Sequence, residues 1–230
     1  MKKNTCFIIA LMLSFIIFGN SIFAVYIPVK GDPSKYKDIE GHWAYNSINA
    51  MISLGYFKGV TDTEFKPDTD VSRAMLVTVL WRLTGDELYK YKTVDGITKK
   101  LPKYINMFWD MKDDAWYTDY ISWANENDII SGYSKREFRP DEAMTREQIA
   151  TVLYNYLKNY KLVRNFDGLK VKEAVEYTDA AQIADWAKDK ISIVQQIGLM
   201  EGRNDGRFDP KANVTRAEIA VIIERLLKIV

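Results

Sequence analysis

The sequence predicts a mainly α domain with pseudo-threefold symmetry, and three observations predict it. First, Trp43, Gly59, Phe65, Pro67 and Arg73 recur in one register as Trp116, Gly132, Phe138, Pro140 and Arg146, and again as Trp186, Gly202, Phe208, Pro210 and Arg216; the Trp-to-Arg separation is 30 residues each time. Second, each copy ends in an apolar stripe at helical spacing. The stripes are Leu76, Val79, Leu80, Leu83, then Ile149, Val152, Leu153, Tyr156, then Ile219, Ile222, Ile223, Leu226. Third, a unit of about 50 residues buries too little surface to stand alone, so the striped helices of three units must pack together. At 47% hydrophobic and 27% charged residues, the composition is that of an ordinary globular chain able to build such a core.

Taken in order, the chain opens with Lys2 and Lys3, an apolar run from Phe7 to Phe18, and small and polar residues up to Ala24. That is the layout of a secretory signal peptide over 1–24, with an uncleaved membrane anchor as the alternative; the protein is exported on either reading. Removing Lys2 and Lys3, and no acid, leaves 30 basic residues against 31 acidic ones, and the single cysteine, Cys6, goes with them. No basic stripe remains for nucleic acid, and no disulfide can form.

Each copy then reads as helix, loop, helix. The first helix starts at the Trp, carries Ile48, Ile121 or Ile191 five positions on, and stops at Gly55, Asp128 or Gly198. At the two glycines a left-handed residue suits the helix end. An apolar pair follows, then a turn whose Phe plugs the core, then a proline that breaks the chain before the second helix. Ser72, Thr145 and Thr215 are the N-caps; Thr145 with Gln148 and Thr215 with Glu218 complete capping boxes. The connections 85–107 and 159–176 are charged and long for helix–helix links.

Arg73, Arg146 and Arg216 then fall in the first turn of a helix, where the macrodipole disfavours a cation by about 0.3–1 kcal/mol. Something anionic should face each one. One candidate is an internal acid, Asp38, Asp110 or Asp179; the other is a ligand carboxylate or phosphate, gripped by the guanidinium and the free N–H groups of the helix start. Trp43, Trp116 and Trp186 read as core anchors, with a sugar ring on an exposed indole as the alternative. Gly59, Gly132 and Gly202 read as turn residues with positive φ, and close approach of a ligand is the sharper reading.

An Asp-containing leading loop ("YKDIEGHW", "FWDMKDDAW", "YTDAAQIADW"), a Trp-led helix, G-x5-F-x-P and then "SRAM", "TREQ" or "TRAE" together resemble the S-layer homology (SLH) repeat. The resemblance covers 36–84, 108–158 and 177–229, three tandem copies flanking a charged insert at 85–107 and a linker at 159–176. It implies three helices, one per repeat, in a central three-helix bundle. It also implies non-covalent, non-catalytic attachment to the cell wall or S-layer through inter-repeat grooves. The ligand would be a secondary cell-wall polysaccharide, often acidic or pyruvylated, with peptidoglycan as a second partner. The carried-over site residues are the three arginines, tryptophans, aspartates and glycines named above. Met75 stands where the second and third copies have Gln148 and Glu218, so the grooves are not equivalent and the first departs furthest from the family pattern.

Enzyme chemistry finds little footing. There is one histidine, His42, and no HExxH, GxSxG or phosphate-loop motif, so neither a cofactor nor a catalytic site is expected. Asp113-Asp114 and Asp205-Gly206 read as turns; the latter, with Asn204 and Asp209, lacks the full ligand ladder of a calcium loop. The alternative function is an exported protein–protein adaptor on the SLH scaffold, docking a partner at 85–107.

Overall fold

The computed structural model describes residues 30–94, 97–159 and 166–229; the segment that carries the signal-peptide reading lies outside them. The chain is mainly helical. The first helices of the three repeats are α1 (Tyr45–Ser53), α3 (Thr118–Glu126) and α5 (Asp185–Gln196), and the second helices are α2 (Arg73–Thr84), α4 (Arg146–Asn159) and α6 (Arg216–Leu226). Helices α1 and α3 begin two residues after their Trp, whereas α5 begins one residue before Trp186. Each stops where the sequence places the stop: Gly55, Asp128 and Gly198 have φ of 82°, 54° and 75°. The next amide then reaches back five residues, as Tyr56 N–H does to the Met51 carbonyl (3.0 Å) and Leu199 N–H to that of Val194 (2.9 Å).

The second helices carry the core. Their stripes are buried apart from the half-buried Leu83, and Phe65, Phe138 and Phe208 from the preceding loops are fully enclosed. Packing is cyclic: α2 lies on α3, α4 on α5, and α6 returns to α1, so each second helix covers the first helix of the next repeat. Backbone bonds close the same ring. Met144 N–H donates to Val71 O (3.1 Å), Val214 N–H to Met144 O (3.1 Å) and Val71 N–H to Val214 O (2.8 Å).

The helix starts differ from expectation. The first two amides of each second helix are not free; they donate to the following repeat's loop. Arg73 and Ala74 reach Glu142 O and Pro140 O, Arg146 and Glu147 reach Ala212 O and Pro210 O, and Arg216 and Ala217 reach Thr69 O and Pro67 O. Donors that every helix leaves orphaned are thus used to join repeats, and no amide fork remains for an anion.

The charged connection 85–107 holds an element the sequence reading left out. Strands β1 (Tyr89–Val94) and β2 (Ile97–Pro102) form an antiparallel hairpin that sets Lys92 directly opposite Lys99. Its base is fixed by Asp86, whose carboxylate accepts from Tyr104 Oη (2.9 Å) and Trp123 Nε1 (3.0 Å), and by Tyr89, whose hydroxyl donates to Asp119. Among the described residues no helix is long and apolar enough to cross a membrane.

Candidate functional site: three grooves between repeats

Each loop Phe is held on both sides of its backbone. On the amide side stands the aspartate of its own repeat. Asp38 accepts from Phe65 N–H (2.9 Å) and Lys66 N–H (2.6 Å), Asp110 from Phe138 (2.9 Å) and Arg139 (2.6 Å), and Asp179 from Phe208 and Asp209 (both 2.8 Å). The residue after the Phe has φ of 56°, 59° or 63°, a conformation that turns its amide toward the carboxylate. On the carbonyl side stands the arginine of the preceding repeat. Arg73 Nε donates to Phe138 O (2.8 Å), Arg146 Nε to Phe208 O (2.8 Å) and Arg216 Nε to Phe65 O (2.9 Å). A second nitrogen of each reaches Ser131 O, Glu201 O or Lys58 O at 2.7–2.8 Å.

That corrects the expectation for the arginines. The groups that meet two nitrogens of each guanidinium are neutral carbonyls of the next repeat. Asp38 acts on Arg216 and Asp110 on Arg73 from behind the same peptide, whereas the acids acting on Arg146 are Glu218 and Asp209. All three arginines are buried, with their charge over the ring of the gripped Phe at 4.3–5.0 Å. Burial lowers their pKa, that of Arg216 to about 10, which leaves Arg216 protonated at neutral pH.

Two further expectations change. Trp43, Trp116 and Trp186 are 66%, 57% and 51% exposed and anchor no core; the small residues beside them, Ala44 and Ala187, take the buried positions. Gly59, Gly132 and Gly202 are not among the positive-φ residues. A side chain is excluded there by crowding: a Cβ on Gly59 would lie 2.3 Å from the Tyr36 ring, on Gly132 2.6 Å from Phe108, and on Gly202 2.6 Å from Tyr177. The aromatic two residues before each aspartate therefore fixes the loop against its repeat.

These clamps leave grooves between repeats, each named here by its arginine. The Arg216 groove encloses about 390 Å³ and is lined by Gly59, Val60, Met75, Arg82 and Trp116 beside Arg216. The Arg146 groove encloses about 170 Å³ and is lined by Trp43, Gly202, Arg203, Glu218 and Arg225. Glycine from one repeat, arginine from the one before and tryptophan from the one after thus meet in both; the cyclic relation assigns Trp186 to the Arg73 groove.

Their chemistry differs. In the Arg146 groove Arg203 Nη1 donates to Glu218 (2.7 Å), which also lies 4.0 Å from Arg146 Nη1. In the Arg73 groove the Tyr133 ring covers the guanidinium at 4.8 Å, and its hydroxyl donates to Glu142 (2.8 Å) and accepts from Gln148 Nε2 (3.2 Å). In the Arg216 groove the remaining nitrogen, Nη1, meets among the described residues the Met75 sulfur at 3.8 Å, and Arg82 adds a second cation. The position after the glycine (Val60, Tyr133, Arg203) was missed by the sequence reading. Its signal was its variability inside an otherwise regular repeat. The acids of the turn at 204–209 are paired within the chain, Asp205 with Arg207 and Asp209 with Arg203.

Comparison with known proteins agrees with this architecture. A sequence model of the S-layer homology domain matches residues 35–74, 108–150 and 176–220, more than half of the chain. The chain is 29% identical over 93% of its length to an amylopullulanase of Thermoanaerobacterium thermosulfurigenes, 29% identical over 75% to a cellulosome-anchoring protein of Acetivibrio thermocellus, and 27% identical over 84% to a surface-layer 125 kDa protein of Lysinibacillus sphaericus. It spans only 10%, 35% and 15% of those relatives. Three tandem matches on three cyclically packed repeats make the chain a member of the S-layer homology family.

Proposed function

We propose that the three repeats anchor an exported protein to the cell envelope by taking an acidic wall polysaccharide into the inter-repeat grooves. The observation that carries this reading is the set of exposed tryptophans. Three of the four exposed indoles hold the same place in successive repeats, and two of those three border a groove lined by a buried arginine. An indole face suits the C–H face of a pyranose, and a guanidinium suits a carboxylate on the same sugar. The grooves present binding groups, so the reading is of a non-catalytic module. The names of the cellulosome-anchoring and surface-layer relatives accord with it. The amylopullulanase name describes a protein of which this chain matches a tenth, and its activity is not carried over.

The test is co-sedimentation with purified sacculi before and after acid extraction of the non-peptidoglycan polymer. Binding that disappears with the polymer is the expected result; binding that persists would assign the ligand to peptidoglycan, and none would remove the anchor reading. Trp116→Ala, at an exposed site, should weaken retention while leaving the helical circular dichroism unchanged. Alanine at the arginines cannot serve here, because it would strip the loop carbonyls of their donors.

A second reading, a protein partner at 85–107, is favoured by one observation. Ile105, Met107 and Trp109 are 76%, 64% and 72% exposed just after the lysine-rich hairpin. The equivalent positions of the other repeats are Pro33, Lys35 and Lys37, and Ala174, Glu176 and Thr178. Replacing 90–101 by a short glycine-serine link should spare wall binding and abolish partner capture if that reading holds.

A further inference from the structure

We infer that the anionic group of the ligand enters only the Arg216 groove, because the other two grooves are already occupied by the chain's own side chains, and that Met75 and Val60 are the residues that keep this one open. The inference rests on the binding reading above and goes beyond it by assigning one site where the repeat number suggests three. The pseudo-symmetry supplies the comparison. Three arginines make the same two backbone bonds with two nitrogens; what distinguishes them is what the rest of the guanidinium meets.

In the Arg146 groove it meets Glu218, and Arg203 shares that carboxylate. An incoming anion would have to displace a carboxylate held by two guanidinia. In the Arg73 groove it meets the Tyr133 ring, itself held by hydrogen bonds to Glu142 and Gln148 and by the Arg139 guanidinium at 4.4 Å from its centre. An anion would have to unseat a phenol with four partners. In the Arg216 groove it meets a thioether, a weak acceptor on an unbranched, adaptable chain that can move aside.

Charge follows the same order. Among the described residues that line that groove, Asp141 is the one that bears a carboxylate. In the Arg146 groove Arg203 and Arg225 each have a carboxylate partner in the groove, Glu218 and Glu201. Among the described residues no carboxylate forms an ion pair with Arg216, and burial with Arg82 nearby lowers its pKa despite the Asp38 charge. A ligand carboxylate would supply the missing countercharge. The larger volume, about 390 against 170 Å³, leaves room for a sugar ring against Trp116.

The experiment is calorimetric titration of the purified protein with the polymer released from sacculi by acid. One site per chain is expected. Met75→Glu, which gives this groove the residue of the Arg146 groove, should lower affinity by at least about tenfold. It should not lower the melting temperature, because glutamate three residues after Ser72 completes a capping box. Met75→Leu should bind as the wild type does. Tyr133→Val, which copies Val60 into the Arg73 groove, should raise the stoichiometry toward two. Three equivalent sites in the wild type, or a folded Met75→Glu protein that binds normally, would overturn the single-groove assignment and leave the anchor reading standing. Wild-type protein that binds no polymer would overturn both.

Discussion

Phe65, Phe138 and Phe208 are the residues on which the repeats turn, and their side chains are only half of the reason. Each peptide is clamped by an aspartate at its N–H and by a neighbouring repeat's arginine at its C=O. Asp38→Ala would leave two loop amides without their charged acceptor and should cost about 2–4 kcal/mol, read from the urea midpoint at constant slope. Gly202→Ala forces a methyl into the Tyr177 ring and should cost about 1–3 kcal/mol in the same measurement. Met75→Gln should instead gain about 0.5–1 kcal/mol by closing the capping box that the first repeat lacks. The native methionine thus gives up helix stability where the single-groove reading needs an apolar residue. Much of this was legible. The recurrence of arginine against the helix dipole marked the position correctly, but its partners are carbonyl oxygens, which have no letter in a sequence. The tryptophans were misread because size and apolarity set what a residue gains by burial, not whether the fold has room for it. The glycines were misread because close approach and positive φ leave the same letter.

Among the elements, the helices were the legible ones, since a 3.6-residue stripe and a cap specify both period and start. The hairpin was not, although its signal was present. Tyr89-Lys90-Tyr91-Lys92 alternates, and the Asp95-Gly96 that follows is a two-residue turn pattern. The charge of the segment drew attention away from its period of two. Lys92 and Lys99 are paired across the strands, and like charges in that place are unfavourable. Lys92→Glu should therefore stabilise the hairpin by about 0.2–1 kcal/mol, seen as slower amide exchange in β1 and β2 with α2 and α4 unaffected. Loss of partner capture in the same variant would tie the lysines to docking.

For the whole molecule, the threefold arrangement and its shared core followed from the gapless repeat, whereas the direction of packing did not. Nothing in the repeat says that α2 covers α3 and not α1. That choice is made by the loop carbonyls, which accept the orphan amides of the preceding repeat's second helix, in one cyclic order. Because the order closes, no repeat has a complete set of partners without both others. The chain should melt in one transition followed alike by far-UV and near-UV circular dichroism, and a fragment ending at residue 159 should be largely unfolded.

The closure of the third repeat onto the first also decides how the molecule bears force. A chain pulled at its two ends meets at once the contacts that join those ends: α6 on α1, Val71 on Val214, and Arg216 on Phe65 and Lys58. These are loaded together and in parallel, like the pin of a shackle. Until they yield, no tension reaches the hairpin or the linker, and the first and second repeats cannot be drawn out one by one.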